Sequence, residues 1–471
     1  MSQTETGAPA SKGLRIPAFV VAAFATSAIP VGALTTPLLV YLPNYYAALM
    51  GISLLAVGGI FALVKLLDIF FDPAVGLLMD RTRTRIGRYR FWLIVGAPIM
   101  MLGVWMLFEA KGGPEVNSTY LFTWLVVLYI GYSLLVLSQA AWGAVLATNY
   151  AERSRVYAWA HVAGIFGAIA VLTLPSILKL DDSQVVPAMG LLIVCSIPIT
   201  TLIVSLFVPE AAPPPRAATD RVSLKDFPQL AFRPTMGRLL AADLLFTLGP
   251  AITSPLYLFF FRQARGYSAV ETNLLLLIFL VAGVFSAPLW AMASARFGKH
   301  RTLIAAAAAY SVAQSCVAFI PYDSFAIMAP AMFIAGGILA ALSFLIRAMI
   351  ADVSDEIRFE TGKDRTGLLY AMISSTSKIA TASAVFITFT ILSKIGFEAK
   401  AGAVNTPEAM HGLVLIYSIA PVVLVMMGAF SIVGYSLSRE KHGAIRTALE
   451  ARDAEAAALS KLDIESEAIV S

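Results

Sequence analysis

Lys65, Asp68 and Asp72 stand at i, i+3 and i+7 in the otherwise apolar run KLLDIFFDPAVGLLMD, residues 65–80. On a helix that spacing places all three along one stripe. If the run crosses a bilayer, Asp68 lies twelve residues from Asp80, roughly 18 Å along the axis and near the midplane. An ionised side chain at that depth costs at least about 2.5–3.5 kcal/mol, so such groups face a polar cavity and carry a task. One lysine cannot neutralise two carboxylates. The surplus negative charge suits a carrier of cations, attractive when empty and neutral when loaded. The plainer alternative is that Lys65 neutralises one aspartate to hold helices together.

The elements that must position these groups are legible in the composition. The 471-residue chain is 59% hydrophobic and 13% charged, where a soluble domain carries roughly 25% charged residues. Its mean hydropathy is +0.80. Apolar blocks of about 18 to 30 residues are each long enough to cross a hydrocarbon core as a helix, which predicts an all-α polytopic membrane protein. A β-barrel would show short alternating segments. Twelve spans can be drawn: 16–48, 51–80, 91–109, 118–148, 156–179, 185–208, 235–262, 269–295, 301–321, 325–351, 366–394 and 408–437. The Pro- and Ala-rich stretch 209–234 (PEAAPPPRAATDRVSLKDFPQLAFRP) reads as a linker between two sets of six. The expected organisation is an amino-terminal bundle over 1–208, the linker, a carboxy-terminal bundle over 235–437 and a tail over 438–471. The tail alternates charge with Ala and Leu. It is expected to be solvated and partly disordered, with a short surface helix as the alternative.

Charge orients the chain. Arginines and lysines concentrate at 81–90, 153–155, 216–238, 296–301, 358–365 and 439–446, in alternate loops and the tail. By the positive-inside rule these segments are cytoplasmic, and so are both termini, in a bacterial inner (plasma) membrane. The polar first fifteen residues precede an apolar run too long for a signal-peptide core. The net charge of +5 requires no nucleic-acid partner. Cys195 and Cys316 lie inside apolar spans, so no disulfide framework or metal-ligand spacing is expected. No P-loop occurs, which argues against ATP-driven transport. No motif for acyl or glycosyl transfer stands at a membrane face, so the expectation is a transporter rather than an enzyme, with a membrane-embedded transferase a distant third.

Two motifs repeat or carry a resemblance. RTRIGRYR after span 2 is echoed by SARFGKHR after span 8, with Arg85, Gly87, Arg88 and Arg90 matching Arg296, Gly298, Lys299 and Arg301. Two six-helix halves with a repeated basic turn resemble the major facilitator superfamily, whose pseudo-symmetric halves rock about a central site. More specifically, KLLDIFFDPAVGLLMDRTRTRIGRYRFW resembles the helix 2 signature of the glycoside–pentoside–hexuronide:cation symporter family. ADVSDEIRFETGKDRTGLLYA (351–371) is similar to that family's charged turn after helix 10, and AERSR (151–155) is a weaker match after helix 4. The resemblance implies that Asp68 and Asp72 are the cation-coupling carboxylates. It also implies that Lys378, seven residues beyond Ala371, is the helix 11 lysine near cation and substrate, and that Lys65 lines the same cavity. Asp352, Asp355 and Arg365 would form cytoplasmic gating contacts, the alternative for each being a solvated loop with ion pairs of little energy, and Asp80, Arg81 and Arg85 would belong to the superfamily's loop motif, serving topology first and gating second.

The departures from the family bear on the cargo. Where the family's sugar permeases carry an aspartate four residues before a helix 4 tryptophan, this chain has Ser138 before Trp142. The sugar-contacting arginine of helix 5 falls on His161, the helix 10 tryptophan falls on Ser343, and span 16–48 holds no acidic residue. A sugar, glycoside or uronate is the family default, and a lipid or an aromatic or organic anion is the alternative cargo. Trp142, Ser138 and His161 are expected to line the cavity, a packing role being the alternative for the histidine. Phe71 and Leu135 replace an amide and a threonine that supplement the carboxylates in the family, so the coupling ion is expected to be a proton rather than sodium. Lys378 and the helix 2 carboxylates are expected to share one cavity. No cofactor is implied. The expected partners are the solute, the coupling cation and the bilayer, and the protein is expected to be monomeric.

Overall fold

The computed structural model describes residues 16–210, 226–452 and 455, apart from 148, 149, 364 and 401. The first fifteen residues, most of the 209–234 linker and the end of the tail lie outside the described residues. Among the described residues twelve helices are long and apolar enough to span a membrane: α1 Ala18–Ala48, α2 Leu54–Arg81, α3 Arg88–Phe108, α4 Ser118–Leu146, α5 Tyr150–Leu178, α6 Asp182–Phe207, α7 Pro234–Ala264, α8 Ala269–Phe297, α9 Lys299–Phe319, α10 Phe325–Thr361, α11 Thr366–Lys394 and α12 Pro407–Ile432. The protein is an integral multi-pass membrane protein. The chain divides into two compact units, residues 1–219 with the short stretch 399–402, and residues 220–398 with 403–471, so that α1–α6 fall in one and α7–α12 in the other.

Helix ends follow from local chemistry. Ser53, Asn117, Ser268 and Thr406 accept a backbone amide with their side chains at the starts of α2, α4, α8 and α12, meeting donors that a helix leaves unpaired at its start. In α1 and α7 the helix widens to π turns, at Pro37–Tyr41 within α1 and at Phe259–Ala264 at the end of α7. Prolines accompany both, at 30, 37 and 43 in α1 and at 250 and 255 in α7, and each removes one ladder hydrogen bond. The hydropathy pattern gave no sign of these turns.

Inside unit 1, α3 and α4 approach so closely that a Cβ on Gly131 would stand 2.3 Å from the Met100 amide nitrogen. In unit 2 a Cβ on Gly336 of α10 would stand 2.1 Å from the Phe279 carbonyl oxygen of α8. Small residues let membrane helices meet backbone to backbone.

The tail departs from expectation. Residues 439–452 form a helix, α13. Its Ile445 and Leu449, one turn apart, are buried in the same cluster as Ile350, Val353 and Ile357 of α10. The Lys441 ammonium lies 3.2 Å from a Glu356 carboxylate oxygen. Two apolar anchors and an ion pair outweigh the polar composition that pointed to a solvated end.

Candidate functional site

In unit 1 the α2 stripe meets α4. The Ser133 hydroxyl of α4 donates to Asp68 Oδ1 at 2.9 Å, and Asp68 is 7% exposed. One turn on stands Asp72, one of its carboxylate oxygens shielded from solvent. The Lys65 ammonium sits 4.7 Å from the centroid of the Tyr129 ring of α4, within cation–π range. Tyr132 of α4 shares a hydrogen bond with Thr35 of α1 and lies within electrostatic reach of Lys65 and Asp68. Three helices thus contribute to one polar patch in an apolar bundle. Directly after Asp72, Pro73 lacks an N–H, so the Ile69 carbonyl loses its helical donor beside the carboxylates. Tyr129, Tyr132, Ser133 and Thr35 were missed in the sequence because each is an ordinary residue of an apolar helix. Their register against α2 is set only by the packing.

Two residues expected in the cavity are elsewhere. Ser138 and Trp142 are both fully buried. Ser138 Oγ points at Met79 Sδ, 4.0 Å away. The Trp142 indole N–H donates to the Pro209 carbonyl at 3.2 Å, and the Arg90 guanidinium stands 5.6 Å from its ring centroid. Neither side chain presents a surface to a solute: both fill the space where α4 meets α2, α3 and the start of the linker. His161 of α5 is exposed.

The basic turn after α2 has a defined anchor. Gly87 begins α3 with φ +110°, a conformation that a side chain disfavours. Glu210 takes the amides of Arg88, Tyr89 and Arg90 at 2.6, 2.8 and 3.0 Å. A Cβ on Gly87 would fall 2.2 Å from Glu210 Oε2, so glycine is required twice over. Arg90 also donates to the Val208 carbonyl at 2.8 Å. Arg81, at the end of α2, and Arg85 are exposed. The Asp80 side chain lies outside the described residues. In unit 2 the echo of this turn holds: Gly298 begins α9 with φ +87°.

The predicted gate acids of α10 are engaged inside unit 2. Lys299 pairs with Asp352 at 2.6 Å and donates to the Ala348 carbonyl. His442 of α13 lies 3.0 Å from Asp355 and 3.5 Å from Asp352. Arg365 occupies the residue before α11. Burial pushes the Tyr435 hydroxyl well above the usual tyrosine range, and the Asp352 and Glu356 carboxylates push it further the same way, so it stays protonated beside this cluster. Lys378 of α11 is half-buried, one residue from Ser377, whose hydroxyl donates to Asp243 of α7. Among the described residues no group of His, Cys, Asp and Glu could hold a metal ion.

The chain matches the family described as "MFS/sugar transport protein" over residues 23–439. It is 26% identical over 412 residues to the "Glucuronide carrier protein homolog" of Escherichia coli (strain K12), covering 85% of this chain and 88% of that one. It is 24% identical over 417 residues to the "Isoprimeverose transporter" of Lactiplantibacillus pentosus, covering 85% and 84%. Among solved structures, the crystal structure of the nucleoside transporter NupG superposes with a TM-score of 0.66 at 12% identity, over 88% of this chain and 98% of that one. That likeness fixes the twelve-helix major facilitator fold. With a family match across nearly the whole chain, relatives that are carriers and symporters, and the α2 carboxylate stripe in place, the chain belongs to the MFS/sugar transport protein family, among the glycoside–pentoside–hexuronide:cation symporters.

Proposed function

We propose that this protein is a proton-coupled symporter of a small polar organic solute, a glycoside, pentoside or hexuronide, working by alternating access as a monomer. The observation that carries the reading is Asp68: a buried carboxylate on a membrane helix, held by the Ser133 hydroxyl at 2.9 Å, with a second carboxylate one turn away. Two carboxylates on one stripe of a membrane helix give a coupling proton a place to bind and leave. Sodium wants several oxygen ligands. Phe71 and Leu135 offer none, and the neutral oxygens beside the carboxylates are the Ser133 hydroxyl and the Ile69 carbonyl. The set therefore favours a proton over sodium. The names of the relatives, a glucuronide carrier homolog and an isoprimeverose transporter, support a saccharide-derived cargo.

The test is uptake of labelled glucuronide and of isoprimeverose into proteoliposomes under an imposed pH gradient and, separately, an imposed sodium gradient. Accumulation driven by the pH gradient is expected for at least one solute. Accumulation driven by sodium alone, at constant pH and clamped potential, would exclude proton coupling.

The same reading sets both termini in the cytoplasm of a bacterial inner membrane, because the basic loops alternate. Reporter fusions at Gly112 and Ala217 are expected to report opposite sides. A common side for both would break this orientation.

A further inference from the structure

Unit 2 holds a buried acid that the coupling scheme does not use. Asp243, nine residues after the start of α7, is 7% exposed, and Met236, Leu239, Ala242 and Phe246 of the same helix are buried around it. Two hydroxyls of α11 lie within hydrogen-bond distance of the same oxygen, Asp243 Oδ2: Ser377 donates at 2.9 Å, and Thr376, at 2.6 Å, has its one proton for Asp243 or for the Ile373 carbonyl at 2.8 Å. We propose that Asp243 is a second proton-binding site, located in the carboxy-terminal unit and separate from the α2 carboxylates. It does not depend on the assignment of Asp68 and Asp72.

The geometry argues against a purely structural acid. Hydroxyl donors need only a neutral acceptor, which an asparagine side chain supplies without the cost of burying a charge. A carboxyl differs in accommodating two protonation states here. A proton on Oδ1 leaves Oδ2 a carbonyl oxygen with two lone pairs, still able to accept from both Thr376 and Ser377. Protonation and release then proceed without repacking α7 against α11. What changes is charge, by one unit, immediately beside the segment 376–378 that carries Lys378.

The surroundings from each packed element are these. α10 contributes the Arg347 guanidinium, which acts on Asp243 electrostatically, and α11 contributes Lys378. From α7 itself Arg238 stands five residues away and donates to the Val433 carbonyl at 2.9 Å. α12 meets this level near its end, where Ser431 bonds the Arg238 carbonyl. Its ionisable Glu408 and His411 lie twenty or more residues earlier, roughly 30 Å along the axis. The short helix Asp226–Ala231 also packs on α7; the side chain of its one acid, Asp226, lies outside the described residues. The Arg347 guanidinium thus favours the charged form of the carboxylate, against the cost of its burial.

The experiment is an infrared pH titration of the full-length purified protein in proteoliposomes, reading the carbonyl stretch of protonated carboxyls without any solute. Wild type is expected to show a titrating carboxyl band that is absent in Asp243→Asn and retained when Asp68 and Asp72 are both replaced by asparagine. In Thr376→Val/Ser377→Ala, the loss of both hydroxyls from beside the ionised form is expected to move that band to higher frequency and its midpoint to higher pH. A wild-type spectrum that persists in Asp243→Asn overturns the proposal. So does a midpoint unmoved by loss of the hydroxyls, which remains decisive if Asp243→Asn fails to fold.

Discussion

Replacing Asp68 by asparagine is expected to abolish solute accumulation against a gradient while leaving the protein in the membrane at normal level. Asparagine keeps the shape and can still accept from Ser133, so the bond at 2.9 Å survives and α2 stays packed on α4. The change removes the charge alone. Without it the site no longer binds a coupling proton whose release can be driven by the gradient, and the same holds for Asp72→Asn. Exchange of labelled for unlabelled solute down its own gradient is expected to persist, because it needs no net proton movement. Ser133→Ala is the graded control: losing one hydrogen bond to a charged group costs about 1.5 kcal/mol, roughly tenfold in transport affinity. Proteoliposome uptake under a pH gradient, with exchange measured alongside, checks all three. Gradient-driven accumulation by Asp68→Asn at wild-type rate would remove this residue from coupling.

Gly131→Ala and Gly336→Ala are expected to be among the most damaging single changes in the two units. At each position the new methyl group would lie 2.3 or 2.1 Å from backbone of the facing helix, well inside contact distance. Backbone cannot rotate away as a side chain can, so α4 would have to separate from α3, or α10 from α8. Overpacking costs about 1–3 kcal/mol and more where the neighbour cannot yield. The expected outcome is a large fall in the amount of folded protein in the membrane and a lower melting temperature in detergent, without a specific transport defect in what remains. Alanine at Gly59, where a Cβ would meet nothing within 4 Å, is the matched control and is expected to behave as wild type.

The parts of the molecule legible in the sequence are those written in one segment. The twelve spans are fixed by the length of apolar runs, and the α2 stripe by the spacing of Lys65, Asp68 and Asp72. The repeated basic turn could be matched residue by residue, and both of its glycines prove to begin helices with positive φ. What the sequence hid are relations between segments. Ser133 reads as one more small residue in α4 until packing brings it to Asp68, 65 positions away. Trp142 has the spacing of a cavity aromatic, yet the Pro209 carbonyl and the Arg90 guanidinium claim it. Ile445 and Leu449 look like incidental apolar residues in a charged tail until the α10 surface that buries them is known.

The Glu210 collar has a consequence for biogenesis. Three amides at the start of α3 wait for a carboxylate 120 to 122 positions later in the chain. At about 5–20 residues per second, synthesis takes roughly 6–24 s to reach it. Over that interval α4, α5 and α6 are made while the first turn of α3 has only water or lipid headgroups to meet its donors. The cap closes when Glu210, the second residue of the linker, emerges. Its closure follows the completion of the first six helices, and the second six are made after the start of α3 is already capped.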